Sequence, residues 1–224
     1  MSGAEVKNAR ERRGWTQQQA ARRWKVSQTY VSMVERDKRR VPARLARLLA
    51  RQEREMATGL PPDVPTTTGD GLPRLLGSLG YPGFAYLADP NGVAHPAAVL
   101  MAALRQKRLP ARATAALPWL LVTFANLDWD WLLGQAKLSN LQNRLGYLVH
   151  LARSVAHNRG DLVASNHLFE AEQKLEEARL VKEDTLGRTL TEAERRYLRD
   201  HRPHAAEHWN LLTNLRTEDL ADAF

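Results

Sequence analysis

Apolar residues recur at the spacing of an α-helix along the chain, and no segment alternates apolar and polar residues in the convincing manner of a half-buried strand. This pattern predicts an all-α protein with two helical domains. The first domain, at residues 1–57, has four to five helices, and the second, at residues 72–224, is a multi-helix domain. Residues 58–71 between them are rich in Pro, Gly and Thr, which resist helix formation and offer little apolar surface, so we expect a linker there.

The helices of the second domain are predicted from periodicity and from the residues that begin and end helices. Thr191 and Glu194, for example, form a capping box ahead of one of them. Turn sequences occur at residues 81–84 and 89–92, and they allow a short hairpin between them. The predicted helices lie near residues 73–79, 96–108, 111–125, 128–158, 161–186, 191–200 and 203–214.

Composition excludes several classes of protein. The chain has no Cys, which excludes disulfide frameworks, zinc sites built on Cys and thiol nucleophiles. No apolar run reaches the roughly 18–20 residues that cross a bilayer, and the first seven residues lack the apolar core of a secretion signal. We therefore expect a cytoplasmic protein that makes no contact with a membrane.

The positive charge is confined to the first domain. Residues 1–57 hold fifteen Lys and Arg against six Asp and Glu, a net charge of +9, whereas the remaining 167 residues have a net charge of −1. A basic surface gains affinity for a polyanion because binding releases the counterions condensed on it. This asymmetry predicts a domain that binds nucleic acid, joined to a domain with a different task.

Helix-capping residues divide the basic domain into short helices. Thr16 and Gln19 form a capping box, and Ser27 begins a further helix over about residues 28–36. Ala20 and Ala21 are small enough to let two helices approach closely. Pro42 is expected to start a fourth helix that carries Leu45, Leu48 and Leu49 inward.

About residues 4–57 resemble the Cro/CI-like (XRE) helix-turn-helix family. In the turn Lys25 occupies the place where the family usually has Gly, so a left-handed backbone there would cost about 1 kcal/mol. Trp24 replaces the usual Leu. The resemblance rests on Arg10-x-x-Arg13-Gly14-Trp15-Thr16-Gln17-x-x-Ala20-Ala21 and Val26-Ser27-Gln28-x-x-Val31-Ser32-x-Val34-Glu35-Arg36.

The resemblance implies how DNA is bound. The helix after the turn lies in the major groove, and dimers bind palindromic sites, so it implies a homodimer on a palindromic operator of double-stranded DNA. Arg10 is either a phosphate contact or the partner of Glu35. The residues implied to contact base edges are Gln28, Thr29, Ser32 and Met33, and those implied to contact phosphates are Gln17, Lys25, Ser27, Lys38, Arg39 and Arg40.

In the second domain, no group of residues makes a convincing catalytic site. Asp128 and Asp130 point to different helix faces, which favours a capping role for Asp128 over acid–base catalysis. His201, His204 and His208 lack the zincin order, so we predict no metal site and no cofactor. The aromatic residues of the domain are expected to lie mostly in its core, and any exposed ones to serve as interface anchors.

Residues 75–215 resemble XRE-type, antitoxin-like regulators encoded beside abortive-infection nucleotidyltransferase toxins. The similarity lies in Gly80–Leu87, Leu117–Leu121, Asp128–Leu132, Leu141–Gly146, Asp161–Leu186 and His208–Asn210. It implies a non-enzymatic repressor of its own operon that binds a cognate toxin. Two alternatives stay open: a stand-alone repressor gated by a small-molecule effector in the second domain, and a metal-assisted hydrolase built on the His cluster.

Overall fold

A computed structural model describes residues 2–11, 15–46, 49, 64–67, 71–89 and 95–224, with the backbone alone at 221–223. These residues are mostly helical, with one very short sheet, which confirms the all-α prediction. In this part of the chain, no helix is both long and apolar enough to cross a membrane.

Three short helices precede a helical segment at residues 43–46: α1 (Gly3–Glu11), α2 (Gln17–Trp24) and α3 (Gln28–Glu35). The predicted capping box is confirmed, because the Gln19 N–H donates to Thr16 Oγ1 and the Thr16 N–H donates to Gln19 Oε1. Ser27 caps α3 by accepting a hydrogen bond from the Tyr30 N–H. Of the motif residues, Arg13 and Gly14 lie outside the described residues, as does Leu48 of the fourth helix.

The N-terminal helices enclose a small apolar core of their own. Ala20 and Ala21 are buried where α2 approaches its neighbours, as their size predicts. Trp24 contacts Trp15 edge to face, with the ring centroids 6.3 Å apart. The buried residues of this core are Val6, Ala9, Trp15, Ala20, Ala21, Trp24, Val31, Val34, Leu45 and Leu49.

The rest of the chain forms a larger helical assembly. Its helices are α4 (Gly71–Leu79), α5 (Pro96–Leu104), α6 (Ala111–Thr123), α7 (Trp129–Ser139), α8 (Gln142–Asn158), α9 (Leu162–Glu176), α10 (Glu192–His201) and α11 (His204–His208). 3₁₀ helices occupy Pro82–Leu87 and Glu218–Ala223. The 3₁₀ helix at Pro82–Leu87 occupies the stretch in which the turn sequences allow a short hairpin. Residues 90–92 of the second turn sequence lie outside the described residues.

Several predicted helices are too long. The helix predicted over 96–108 ends at Leu104, and the one over 111–125 ends at Thr123. The helix predicted over 128–158 is two helices, since Asn140 adopts a left-handed conformation (φ 55°) that ends α7. The helix predicted over 161–186 ends at Glu176, and the one over 203–214 ends at His208. The residues after these two ends form the parallel strands β1 (Asp184–Thr185) and β2 (Leu211–Leu212), which periodicity does not predict.

The core of this assembly is built around α5 and α8. Every residue of α5 is buried, which fits a helix that is apolar on all sides. Gly146 of α8 lies directly against the ring of Trp209, so a Cβ atom at this position would collide with the indole. Most aromatic side chains lie in the core as expected, although Tyr86, Phe169 and Tyr197 are exposed.

Residues of the predicted linker contact the C-terminal assembly, and the N-terminal core also touches it. Val64 packs against the C-terminal core, and Thr67 Oγ1 accepts a hydrogen bond from Gln106 Nε2 at 2.8 Å. A Cβ atom at Gly80 would lie 2.5 Å from Nε1 of Trp15, so Trp15, between α1 and α2, lies against the residue that follows α4. The proposed boundary near residue 58 lies outside the described residues.

Candidate nucleic-acid interface

The turn between α2 and α3 has the backbone geometry that the helix-turn-helix resemblance implies. Lys25 has φ 55° and ψ 47°, which confirms a left-handed residue at the place where the family usually has Gly. Its N–H donates to the carbonyl oxygens of Ala21 and Arg22, and its side chain is exposed. The short turn therefore directs the chain from α2 into α3 and leaves one cation at the surface.

The outward side of α3 presents the residues that are candidates for base contacts. Gln28 and Thr29 are exposed in its first turn, and Met33 is 39% exposed one turn later. Ser32 is half-buried, so it is the least accessible of the four. Val31 and Val34, on the opposite side, are buried in the core and fix the rotation of the helix. The first turn of α3 is therefore its most accessible part.

A basic segment follows α3 and is held against it by Tyr30. The guanidinium of Arg39 lies over the Tyr30 ring at 5.4 Å, and the Tyr30 hydroxyl donates to the Arg40 carbonyl oxygen at 3.4 Å. Lys38, Arg39 and Arg40 are all exposed. Tyr30 is not among the residues predicted for this surface, although an aromatic residue in this helix so close to a run of cations is a usable signal for such stacking.

The same segment is tied to α1. The Gly3 N–H donates to Asp37 Oδ1 at 2.8 Å, and a Cβ atom at Gly3 would collide with the Val34 carbonyl oxygen. Asp37 itself has a positive φ of 53°, which turns the chain after α3. The three cations at 38–40 thus extend from a turn that is anchored at two points.

Glu35 is the structural centre of this surface. Arg10 donates to it through Nε at 2.5 Å and Nη2 at 3.0 Å, which confirms the predicted pair and explains why Arg10 is not directed outward. The Glu35 side chain is only 3% exposed. Burial acts to raise the pKa of Glu35, but hydrogen bonds from Arg10 and Gln17 and the charge of Arg10 outweigh it, so the pKa lies below its ordinary value.

Two of the candidate phosphate contacts also have structural roles. The Gln17 amide nitrogen donates to Glu35 Oε2 at 2.8 Å, which places this half-buried side chain between α2 and the end of α3. The Ser27 oxygen accepts the capping hydrogen bond of α3. A phosphate would then be met at Gln17 by the backbone N–H at the start of α2, and at Ser27 by the hydroxyl proton.

The C-terminal residues considered as a catalytic or metal site have other roles. Asp128 Oδ1 accepts a hydrogen bond from the Trp131 N–H, which confirms that it caps α7, while Asp130 pairs with Lys174 at 2.6 Å. His208 Nε2 lies 2.7 Å from Glu176 Oε2, and the His201 ring stacks on Tyr197. No group of three His, Asp or Glu suited to a metal ion occurs in the part of the chain that the structure describes.

The geometry agrees with what similarity to known proteins shows. Residues 6–52 match the helix-turn-helix family, and this match covers α1 from Val6 onward, all of α2 and α3, and the helical segment at 43–46. No curated protein and no solved structure matches the chain. The family match supports a DNA-binding regulator.

Proposed function

We propose that this protein is a sequence-specific transcriptional regulator that inserts α3 into the major groove of double-stranded DNA. The observation that carries the proposal is the arrangement of α3. Its apolar side is buried against α1 and α2, whereas Gln28 and Thr29 lie exposed at its start. Gln pairs bidentately with adenine, and the methyl groups of Thr29 and Met33 suit the thymine methyl group.

The cations around α3 would fix its position on the duplex. Lys25 precedes the helix, and Lys38, Arg39 and Arg40 follow it, so positive charge lies at both of its ends. Contacts of this kind supply affinity without reading sequence. Gln17 and Ser27 add a backbone N–H and a hydroxyl at the starts of α2 and α3.

The proposed binding unit is a homodimer on a palindromic operator. A single helix-turn-helix covers only a half-site, and two copies related by a two-fold axis read half-sites about one helical turn apart, roughly 10–10.5 base pairs. Selection from random duplexes with the full chain tests this directly. We expect a palindrome with that spacing and a sedimentation coefficient of a dimer on DNA. A lack of any enriched sequence would refute the proposal.

We further propose that the C-terminal helices bind a cognate toxin in the cytoplasm and that the protein represses the operon encoding both. This rests on the resemblance of residues 75–215 to antitoxin-like regulators. Exposed Tyr86, Phe169 and Tyr197 supply aromatic surface of the kind that anchors protein interfaces. Co-expression with the product of the neighbouring gene tests it. We expect rescue of growth and a stoichiometric complex, and growth arrest despite co-expression would contradict this role.

A further inference from the structure

A second group of cations lies on the C-terminal assembly, which otherwise has little net charge. No Asp or Glu occurs between Asp89 and Asp128, yet this stretch contains Arg105, Lys107, Arg108 and Arg112. All four are exposed, and so is Arg188. We call Arg105, Lys107, Arg108, Arg112 and Arg188 the second basic patch.

The fold brings Arg188 beside the loop between α5 and α6. The Leu109 N–H donates to the Gly187 carbonyl oxygen at 2.7 Å, so residues 108 and 188 flank one hydrogen bond. A Cβ atom at Gly187 would lie 2.7 Å from the Leu109 Cβ, which shows how closely the two segments approach. Residues that are 80 positions apart in sequence therefore contribute to one positive surface.

Arg144 fixes the conformation of this loop without reducing its positive charge. Its Nη1 donates to the carbonyl oxygens of Leu104 at 3.0 Å and Gln106 at 3.4 Å, and its Nε and Nη2 donate to Asp184. The nearby acid Asp184 is thus already paired.

Two further acids near the patch are engaged elsewhere. Glu183 pairs with two arginines of α10. Hydrogen bonds from Thr191 hold the pKa of Glu194 below its ordinary value, and the charge of Arg188 makes only a smaller contribution. Both carboxylates therefore have their principal partners outside the patch.

The positive charges at the centre of the patch are not paired with a carboxylate of the described residues. Among the described residues, Lys107, Arg108 and Arg188 have no carboxylate within ion-pair distance. Like charges lie together here and can be balanced by an external anion.

The patch adjoins the route by which the chain arrives from the helix-turn-helix. Gln106, inside the basic loop, donates to Thr67 at the end of the connecting segment. Arg112 lies over the Phe84 ring at 5.4 Å, and Phe84 contacts Tyr81 at 5.4 Å. Gly80, next to Tyr81, touches Trp15 of the N-terminal core.

We infer that the second basic patch binds the DNA phosphate backbone outside the half-site that α3 reads. This inference rests on the proposed function, since the helix-turn-helix is what brings a duplex to the protein. Each phosphate contact steepens the dependence of log K on log salt by about 0.9. The patch adds affinity for longer DNA and no sequence preference, because it meets only phosphates.

The test compares two duplexes and two variants of the full chain. One duplex is limited to the selected operator, and the other extends it by about one helical turn, roughly 10 base pairs, at each end. The patch variant is Lys107→Gln with Arg108→Gln. The control variant is Lys137→Gln with Arg196→Gln, which removes two exposed positive charges from outside the patch. Circular dichroism melting verifies that both variants fold.

We expect the patch variant to bind the short duplex like the wild type. On the long duplex its salt slope should be smaller by about two, whereas the control variant should be unchanged on both. An unchanged slope for the patch variant on the long duplex would overturn the inference, as would an equal effect of the control variant. If the wild type bound operator and random DNA with equal affinity, the proposed function itself would be refuted. This outcome is distinguishable from an unchanged salt slope of the patch variant, which refutes only the inference about the patch.

Discussion

The side-chain amide of Gln17 donates a hydrogen bond to Glu35 Oε2 over 2.8 Å, linking the first turn of α2 to the last residue of α3. Glu35 also accepts two hydrogen bonds from Arg10 of α1. One buried carboxylate thus fixes the mutual orientation of the three helices that present the DNA-binding surface. The stability of that surface depends on a group that is not expected to touch DNA.

Replacing Arg10 with Ala should destabilise the N-terminal helices by about 3–5 kcal/mol, because it leaves the Glu35 charge buried without its main partner. Denaturant unfolding followed by Trp fluorescence measures this change, since Trp15 and Trp24 lie in the same core. The double variant Arg10→Met with Glu35→Leu is the matched control and should recover most of the loss. A single variant as stable as the wild type would contradict the role given to the pair.

Because the pKa of Glu35 is lowered, the stability of the N-terminal helices depends on pH. Because folding depresses this pKa, the stabilisation is fully present above the unfolded value of about 4.3 and is lost as the pH falls through the folded value. The free energy of unfolding should therefore differ between wild type and Glu35→Gln at pH 7, and the difference should shrink below about pH 4.3. A difference that stays constant down to pH 3 would argue against a depressed pKa.

At Lys25, the effect of backbone strain on stability can be measured separately from the effect of the side-chain charge on DNA binding. Lys25→Gly should raise stability by about 1 kcal/mol because glycine adopts the left-handed conformation without a Cβ penalty, whereas Lys25→Ala should not. Both variants lose the same charge, so both should weaken DNA binding for all sequences and lower the salt slope by about one. Thermal unfolding and fluorescence anisotropy measure the two effects. Equal stabilities of the Gly and Ala variants would contradict the strain argument.

Two glycines in neighbouring helices should respond oppositely to the same substitution. Gly146→Ala should destabilise the C-terminal core by about 1–3 kcal/mol, since the new methyl group would collide with the Trp209 ring. At Gly134 of α7, a Cβ atom would meet no atom of the described residues within 4 Å. Gly134→Ala should therefore stabilise the protein by up to about 1 kcal/mol. Calorimetry of both variants tests the packing, and similar melting temperatures would contradict it.

The features that the sequence predicted correctly are local ones. Capping by Thr16, Ser27, Asp128 and Thr191 involves residues three positions apart, so the chain itself specifies the interaction. The Arg10–Glu35 pair spans 25 residues, and it was accessible only through the family resemblance.

The two strands were missed because distant contacts override periodicity there. Residues 178–186 retain polar and apolar residues at helical spacing, but Asp184 and Thr185 pair with Leu211 and Leu212, which no local pattern reveals. The second basic patch depends on the same part of the fold, since the hydrogen bond between Leu109 and Gly187 holds Arg188 beside the loop at 105–110. The DNA-contact residues remain predictions, supported by the exposure of Gln28 and Thr29.

The most direct test of the central claim compares Gln28→Ala with Arg39→Ala on the selected operator and on random DNA. If α3 reads bases, Gln28→Ala should cost about 1–3 kcal/mol on the operator and almost nothing on random DNA. Arg39→Ala should weaken both alike and flatten the salt slope by about one. Equal effects of the two substitutions on operator and random DNA would contradict the assignment of α3 as the recognition helix.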